Sequence, residues 1–199
     1  MSDTPNGLLP VRFERWFVGR LKPVVTFLGR SGLSPNTLTL LSLFFGFIAA
    51  ALIVLGRLRL ALIPLALAGI SDILDGQIAH LTGKISRFGA ILDSSVDRYT
   101  EFLLLGGIGG YFFRTQQPWW MACCALALAG SFLVSYVKAR AEGAGIPCSV
   151  GLLQRAERLV MLGAGIFFGG WVLKGVMITL AVLSHITAVE RLIYLKKSA

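Results

Sequence analysis

Four aspartates in one apolar stretch are the residues best suited to chemistry in this sequence. Asp72 and Asp75 are three residues apart, and Asp93 and Asp97 are four residues apart. Either spacing puts both side chains of a pair on one face of a helix. Between the pairs, the Thr-Gly-Lys sequence at 82–84 predicts a turn. Two antiparallel helices joined there would bring all four carboxylates together, and hard oxygen ligands in that number suit Mg²⁺, Mn²⁺ or Ca²⁺.

The energetic cost of these carboxylates is the reason to expect bound cations. Four unpaired aspartates deep in a bilayer would together cost about 10 kcal/mol. The alternative is an ion-paired helix hairpin with Arg87 and Arg98 as counter-charges, but two arginines do not neutralise four aspartates. Gly76 and Gly89 lie beside the acids, and they predict either close helix packing or room for a ligand.

The composition indicates an integral membrane protein. Of the 199 residues, 55% are hydrophobic, and the formal net charge is +9. The basic residues lie mainly between hydrophobic runs, which favours anionic lipid headgroups and phosphorylated substrates over nucleic acid as partners. Three cysteines, two of them adjacent, predict no disulfide framework, and two histidines predict no histidine-rich zinc site. We expect no cleavable signal peptide.

The hydropathy pattern predicts an all-α integral membrane fold, with six transmembrane helices after an N-terminal amphipathic interfacial helix. Residues 1–33 are expected to form a polar tail and the interfacial helix, with a bend at Pro23. A helix packed on a soluble partner is the alternative for this segment. Residues 34–199 are expected to form a six-helix transmembrane catalytic domain. The spans are predicted at about 36–56, 60–80, 86–113, 119–137, 156–173 and 175–190.

The distribution of lysine and arginine predicts the orientation of these spans. Six spans put both termini on one side, and that side carries most of the basic residues. The other side carries only Arg57, Arg59, Arg114 and Lys174. The positive-inside rule therefore places the termini and the four aspartates at the cytoplasmic face.

The acidic stretch resembles the signature of the CDP-alcohol phosphotransferase family, D-x2-D-G-x2-A-R-x8-G-x3-D-x3-D. Seven of its eight fixed positions match over 26 residues. The matching residues are Asp72, Asp75, Gly76, Ala79, Gly89, Asp93 and Asp97. His80 stands where the family has arginine. Histidine offers at most two donors and a pH-dependent charge, whereas arginine offers five donors and a fixed charge, so we expect weaker substrate binding or a changed local network. The alternative for His80 is a role in capping the end of its helix.

The resemblance implies a membrane enzyme, usually a homodimer, whose polar cavity opens to the cytoplasm. It implies that a phosphatidyl group moves from CDP-diacylglycerol to an alcohol and that CMP is released. By the same resemblance, Asp72, Asp75, Asp93 and Asp97 hold two divalent cations, Mg²⁺ or Mn²⁺, and Asp97 is the general base. The resemblance places five residues at nucleotide-binding positions, with His80 at the position of the family arginine: Asp72, Gly76, Ala79, His80 and Gly89.

A second, basic cluster is the candidate site for the acceptor. Lys138 ends the predicted fourth span, and Arg155 and Arg158 share a helical face at the start of the fifth. Such a cluster can bind a phosphate, although ordinary flanking charge is the alternative. The sequences LDSSVDRYTE, SYVKARAE and RAERL resemble the branch of the family that uses inositol phosphate, which makes these three residues candidates for binding the acceptor phosphate. Glycerol 3-phosphate is the second candidate acceptor.

Two other classes of protein remain as alternatives. A cation-coupled transporter also carries acids within the membrane, but its site residues are usually distributed over repeats with broken helices. Here all four acids come from one helix pair. A membrane scaffold that has kept the fold without catalysis is the other alternative.

Overall fold

The computed structural model describes residues 11–30 and 32–198, and the side chains of residues 19–21, 23–30 and 32–197. The described part of the chain folds into seven α-helices and no strand, which confirms the all-α prediction. The helices are α1 Val11–Arg30, α2 Pro35–Val54, α3 Leu58–Thr82, α4 Arg87–Arg114, α5 Pro118–Gly143, α6 Arg155–Phe168 and α7 Gly170–Ser198. The polar tail predicted for residues 1–10 lies outside the described residues.

Three of the described helices, α2, α5 and α7, are long and apolar enough to cross a membrane. Helices α3 and α4 have 25 and 28 residues, which at 1.5 Å per residue exceeds a hydrocarbon core of about 30 Å. They are less apolar because they carry the aspartates and nearby charged residues. Helix α6 has only 14 residues and is therefore about 21 Å long. The number of six membrane-crossing helices stays a prediction.

The break between α6 and α7 differs from the predicted spans. The fifth span was expected to continue to residue 173, but α6 ends at Phe168. Gly169 and Gly170 have φ values of +63° and +50°, a left-handed backbone that interrupts a right-handed helix. Lys174 consequently lies within α7, where its Nζ is 4.5 Å from the ring centroid of Trp171 and 5.1 Å from that of Trp120.

The chain forms two compact units, and the first extends from Val11 to Gly107. In this unit, α1 continues as one helix through Pro23. Apolar residues along its second half pack with the apolar faces of α2 and α3. The contributing residues are Leu21, Val25 and Leu28 of α1, Leu38 of α2, and Leu74 and Ile78 of α3. This part of the apolar stripe therefore packs on its own chain, while the interfacial position of α1 and the domain boundary at residue 33 stay predictions.

Close helix contacts in the first unit hold α4 against α2. A methyl group added at Gly46 would come within 3.0 Å of the Thr100 side chain. A methyl group at Gly107 would come within 3.0 Å of the carbonyl oxygen of Ala50. Small residues allow such approaches between membrane helices. The contacts fix the position of α4, which carries Asp93 and Asp97.

The second unit contains residues 108–198 of the described chain and is built around the packing of α5 on α7. Gly130 of α5 is so close to α7 that a methyl group there would lie 2.8 Å from Ser184 Cβ and 2.7 Å from His185 Nδ1. Helix α6 makes a similar contact through Gly165, where a methyl group would lie 3.2 Å from Leu173. Glycine is therefore required at Gly130 for this helix pair to approach as closely as it does.

Candidate active site

A four-residue connection between α3 and α4 brings the two acidic pairs together. Helix α3 ends at Gly83, whose φ of +67° is the left-handed conformation common after a helix C-terminus. Ser86 then caps α4, because its Oγ accepts a hydrogen bond of 2.9 Å from the Gly89 backbone N–H. The predicted turn is therefore confirmed. Asp72 and Asp97 lie equally far along the chain from the middle of this connection, as facing residues of an antiparallel helix pair do.

Three of the four predicted acids form a compact carboxylate cluster. Asp72, Asp93 and Asp97 each offer an oxygen, and these oxygens all lie within 4.8 Å of one another. Asp97 is buried, whereas Asp72 and Asp93 are partly exposed. Three carboxylate oxygens around one point are a donor set that fits a hard divalent cation such as Mg²⁺ or Mn²⁺. We name these three residues the acid cluster.

The fourth acid, Asp75, has a different environment. It is buried, and its Oδ2 accepts a hydrogen bond of 2.5 Å from Thr39 Oγ1 of α2, which is also buried. Thr39 was not predicted as a site residue, and it lies 36 positions away on another helix. Spacing within the acidic stretch cannot reveal such a partner. The hydrogen bond restricts the orientation of the Asp75 carboxylate.

One of the two arginines named as counter-charges does lie beside the acids. Arg98 Nη2 is 3.5 Å from Asp97 Oδ2. The other, Arg87, is exposed at the start of α4. Arg98 can offset part of the charge of the acid cluster.

A cavity of about 170 Å³ adjoins the acid cluster. Asp93 belongs to both, and Asp75 also lines the cavity. Of the predicted nucleotide-binding residues, Gly76, Ala79, His80 and Gly89 line it, whereas Asp72 lies in the acid cluster. The lining also contains Pro35, Asn36, Thr39, Lys84, Ile85, Ser86 and Ala90, which sequence analysis did not single out.

The two glycines of the signature differ in their surroundings. A methyl group at Gly76 would meet no atom within 4 Å, so this face of α3 borders open space. At Gly89 a methyl group would lie 3.0 Å from Ser86 Oγ and 3.4 Å from Asn36 Oδ1. Gly76 therefore provides room beside the acids, and Gly89 allows the start of α4 to approach α2.

The basic residues predicted for the acceptor belong to the second unit, and their exposure differs. Arg158 is buried, with 1% of its surface exposed, and its Nη1 donates a hydrogen bond of 3.3 Å to the Leu153 carbonyl. Arg155 is partly buried. Lys138 is about half exposed, and its Nζ lies 3.7 Å from a carboxylate oxygen of Glu142. Arg155 and Lys138 are therefore more accessible to a ligand than Arg158.

The second unit contains a further buried arginine that was not predicted from the sequence. Arg191 of α7 donates hydrogen bonds to the carbonyl oxygens of Val150, at 2.8 Å, and Val134, at 2.5 Å. It lies in the basic C-terminal segment, where ordinary flanking charge is expected, so the sequence carries no signal of its burial. Its contacts tie the connection between α5 and α6 to α7.

Residues 33–188 match the sequence profile of the CDP-alcohol phosphatidyltransferases, so the chain belongs to this family. It is accordingly a membrane enzyme that transfers a phosphate-containing group, and the resemblance of its acidic stretch is confirmed. Among curated relatives, a phosphatidylinositol phosphate synthase of Streptomyces avermitilis is 37% identical over 194 residues, which cover 92% of this chain and 78% of the relative. An archaetidylinositol phosphate synthase of Methanothermobacter thermautotrophicus is 34% identical over 169 residues, 83% of this chain and 84% of the relative.

Solved structures show the same likeness. The phosphatidylinositol phosphate synthase of Mycobacterium tuberculosis with CDP-DAG bound has a TM-score of 0.79 and 32% identity. That match covers 85% of this chain and 90% of the solved one. The same enzyme in complex with manganese and citrate has a TM-score of 0.77, again at 32% identity, with coverage of 85% and 86%. The manganese complex of this relative agrees with a divalent-cation role for the acid cluster.

Proposed function

We propose that this protein transfers the phosphatidyl group of CDP-diacylglycerol to inositol phosphate and releases CMP. The observation that carries the proposal is the sharing of Asp93 between the acid cluster and the adjoining cavity. A substrate phosphate placed there would lie beside the carboxylates that can bind cations. The relatives named above are inositol phosphate lipid synthases, and one binds CDP-DAG, which supports this choice of substrates.

The four acids have two roles in this proposal. Asp72, Asp75, Asp93 and Asp97 hold two divalent cations, Mg²⁺ or Mn²⁺. Such cations stabilise charge on the attacking and leaving oxygens of a phosphoryl transfer. Asp97 also accepts the proton of the acceptor hydroxyl. The hydroxyl oxygen then forms a bond to the lipid-side phosphorus, the bond from that phosphorus to the bridging oxygen breaks, and CMP leaves with the electron pair.

The donor occupies the cavity beside the acids. Gly76, Ala79, His80 and Gly89, with Asp72 next to them, form the nucleotide-binding residues of the proposal. Pockets that enclose a drug-sized ligand usually have about 300–1,000 Å³. The cavity of about 170 Å³ is smaller, so it holds only part of the donor, and the acyl chains remain in the bilayer.

The acceptor phosphate is assigned to Lys138, Arg155 and Arg158. Charge-assisted hydrogen bonds from guanidinium and ammonium groups suit a phosphate dianion. Lys138 and Arg155 are the more exposed of the three, so we assign them the direct contacts. Arg158 binds the Leu153 carbonyl just before α6 and thereby helps to hold Arg155 in place.

The proposal includes an arrangement in the membrane. We infer a six-span, multi-pass protein, a homodimer, with both termini and the active site at the cytoplasmic face, as the distribution of basic residues predicts. Residues 34–199 form the catalytic domain. Family membership favours this enzyme over a cation-coupled transporter or a scaffold without activity.

The function is tested by acceptor choice. Protein purified in detergent or nanodiscs is incubated with CDP-diacylglycerol and Mg²⁺ or Mn²⁺, and CMP release and the lipid product are measured. We expect rapid CMP release with inositol phosphate, and none after chelation with EDTA. Faster CMP release with glycerol 3-phosphate would identify glycerol 3-phosphate as the acceptor. If no phosphorylated or free alcohol led to CMP release, the proposed phosphatidyl transfer would be wrong.

Thr39→Val is expected to lower the apparent affinity for Mg²⁺ or Mn²⁺ by about 10–100-fold, because hydrogen bonds to metal-binding side chains have effects of that size. The substitution keeps the shape of the side chain but removes the hydroxyl that donates to Asp75. The metal dependence of CMP release measures the effect. Thr37→Val is the matched control, since Thr37 is exposed on the same helix. Equal metal dependence of the two variants would exclude this role for Thr39.

A further inference from the structure

The charges around the cavity are unevenly distributed. Asp75 and Asp93 line it with negative groups. Among the described residues of the lining, Lys84 alone carries a fixed positive charge. His80 lines the same cavity. The cavity thus has an acidic side, which bound cations would neutralise, and a basic side formed from the end of α3 and the residue after its cap.

Lys84 is available to bind a ligand. It follows Gly83, which ends α3, and it is exposed in the connection to α4. Within the described part of the chain, its side chain has no hydrogen-bond or ion-pair partner. A lysine side chain on a short connection can adjust its reach, because its ammonium is a point charge on a flexible four-carbon stem.

We propose that Lys84 binds the phosphates of the nucleotide donor and that His80 faces the same phosphates. The inference rests on the proposed function, in which the donor is a CDP-linked lipid. The diphosphate of that donor is an anion that must lie beside Asp93 to react, and among the described lining residues Lys84 alone offers it a fixed positive charge. Where the family signature has one arginine, this chain uses a histidine and a lysine four positions later.

The first test measures donor binding without the acceptor. CDP-diacylglycerol is titrated into the full-length protein in detergent with Mg²⁺, and heat or fluorescence reports the affinity. We expect Lys84→Ala to weaken donor binding about tenfold, which corresponds to about 1.4 kcal/mol. Lys84→Arg should restore most of the affinity. The KM for the acceptor should stay unchanged.

Arg87→Ala is the matched control. Arg87 is exposed, has the same sign of charge and lies three residues away, but it does not line the cavity. If Lys84→Ala weakens donor binding no more than Arg87→Ala, the proposal is wrong. A rise in the KM of donor and acceptor alike would also overturn it, because that pattern indicates a general disturbance of the site.

A second test asks whether Lys84 and His80 act on the same phosphates. His80→Arg places the signature arginine in the cavity, and we expect it to tighten donor binding. In the His80→Arg background, Lys84→Ala should weaken donor binding twofold or less, since substitutions at groups that share a binding partner do not have additive effects. Additive effects of the two substitutions would show that they bind different groups. The acceptor assay fails or succeeds independently of both results, so a wrong acceptor and a wrong role for Lys84 are distinguishable.

Discussion

Asp93→Asn is expected to reduce CMP release at least about a hundredfold and to weaken Mn²⁺ binding. Loss of a hydrogen-bond partner of a metal ligand alone typically costs about 10–100-fold in metal affinity or activity, and Asp93 is itself a proposed ligand that also lines the cavity. Asp93 contributes a carboxylate to the acid cluster and also lines the adjoining cavity. Electron paramagnetic resonance of Mn²⁺ measures the binding, and a CMP assay over a range of metal concentrations measures the activity.

Ser94→Ala controls for disturbance of the same helical turn. Ser94 is exposed, and its Oγ donates to the Ala90 carbonyl of its own helix at 2.9 Å. We expect this variant to match the unsubstituted protein in both assays. The role of Asp93 is refuted if Asp93→Asn binds Mn²⁺ and releases CMP as well as Ser94→Ala does.

Asp97→Asn is expected to lower kcat by about 10²–10⁴-fold even at saturating metal, the usual contribution of a positioned general base. Its effect on metal binding should resemble that of Asp72→Asn, because each substitution removes one carboxylate from the acid cluster. The comparison isolates proton transfer from metal binding. Single-turnover measurements with preloaded Mn²⁺ give the rate constant of the chemical step in both variants.

Equal rates for Asp97→Asn and Asp72→Asn at saturating Mn²⁺ would show that Asp97 is a metal ligand and not the general base. Circular dichroism of each purified variant checks that the helices remain formed. The side chain of Asp97 is buried and near Arg98, so a variant that unfolds is replaced by Asp97→Glu, which keeps the charge but moves the oxygens. That variant should retain metal binding and lose rate.

The order and approximate positions of the helices follow from the sequence, since apolar period and turn residues are local properties. Pro35 begins α2 and Gly83 ends α3, as the residue types at those positions predict. The end of α6 was missed because the sequence stays apolar past Phe168, and hydropathy does not register a left-handed backbone at two glycines. The low helix propensity of glycine at positions 169 and 170 was the local signal for this break.

The acid cluster was predictable because its members lie on two consecutive helices joined by a short connection. Contacts between residues far apart in the sequence were not predictable. Thr39 donates to Asp75 from α2, and Arg191 reaches carbonyls 41 and 57 positions away. Such contacts depend on how helices pack in three dimensions, and no spacing within one segment encodes them. The burial of Arg158 likewise depends on helix packing and was not predictable from its local sequence.

The short length of α6 has a consequence for how a water-soluble acceptor reaches a membrane enzyme. At about 21 Å the helix is roughly 9 Å shorter than a typical hydrocarbon core. Phe168 ends α6, Trp171 follows three residues later in α7, and both rings are largely exposed and suited to the headgroup level. If α6 crosses the bilayer as the sequence predicts, with that end at one surface, we expect Arg155 at the other end to lie below the opposite surface, where an arginine requires water. On that placement we expect the membrane face to be indented beside α6, with room for a small anion but not for bulky lipid headgroups.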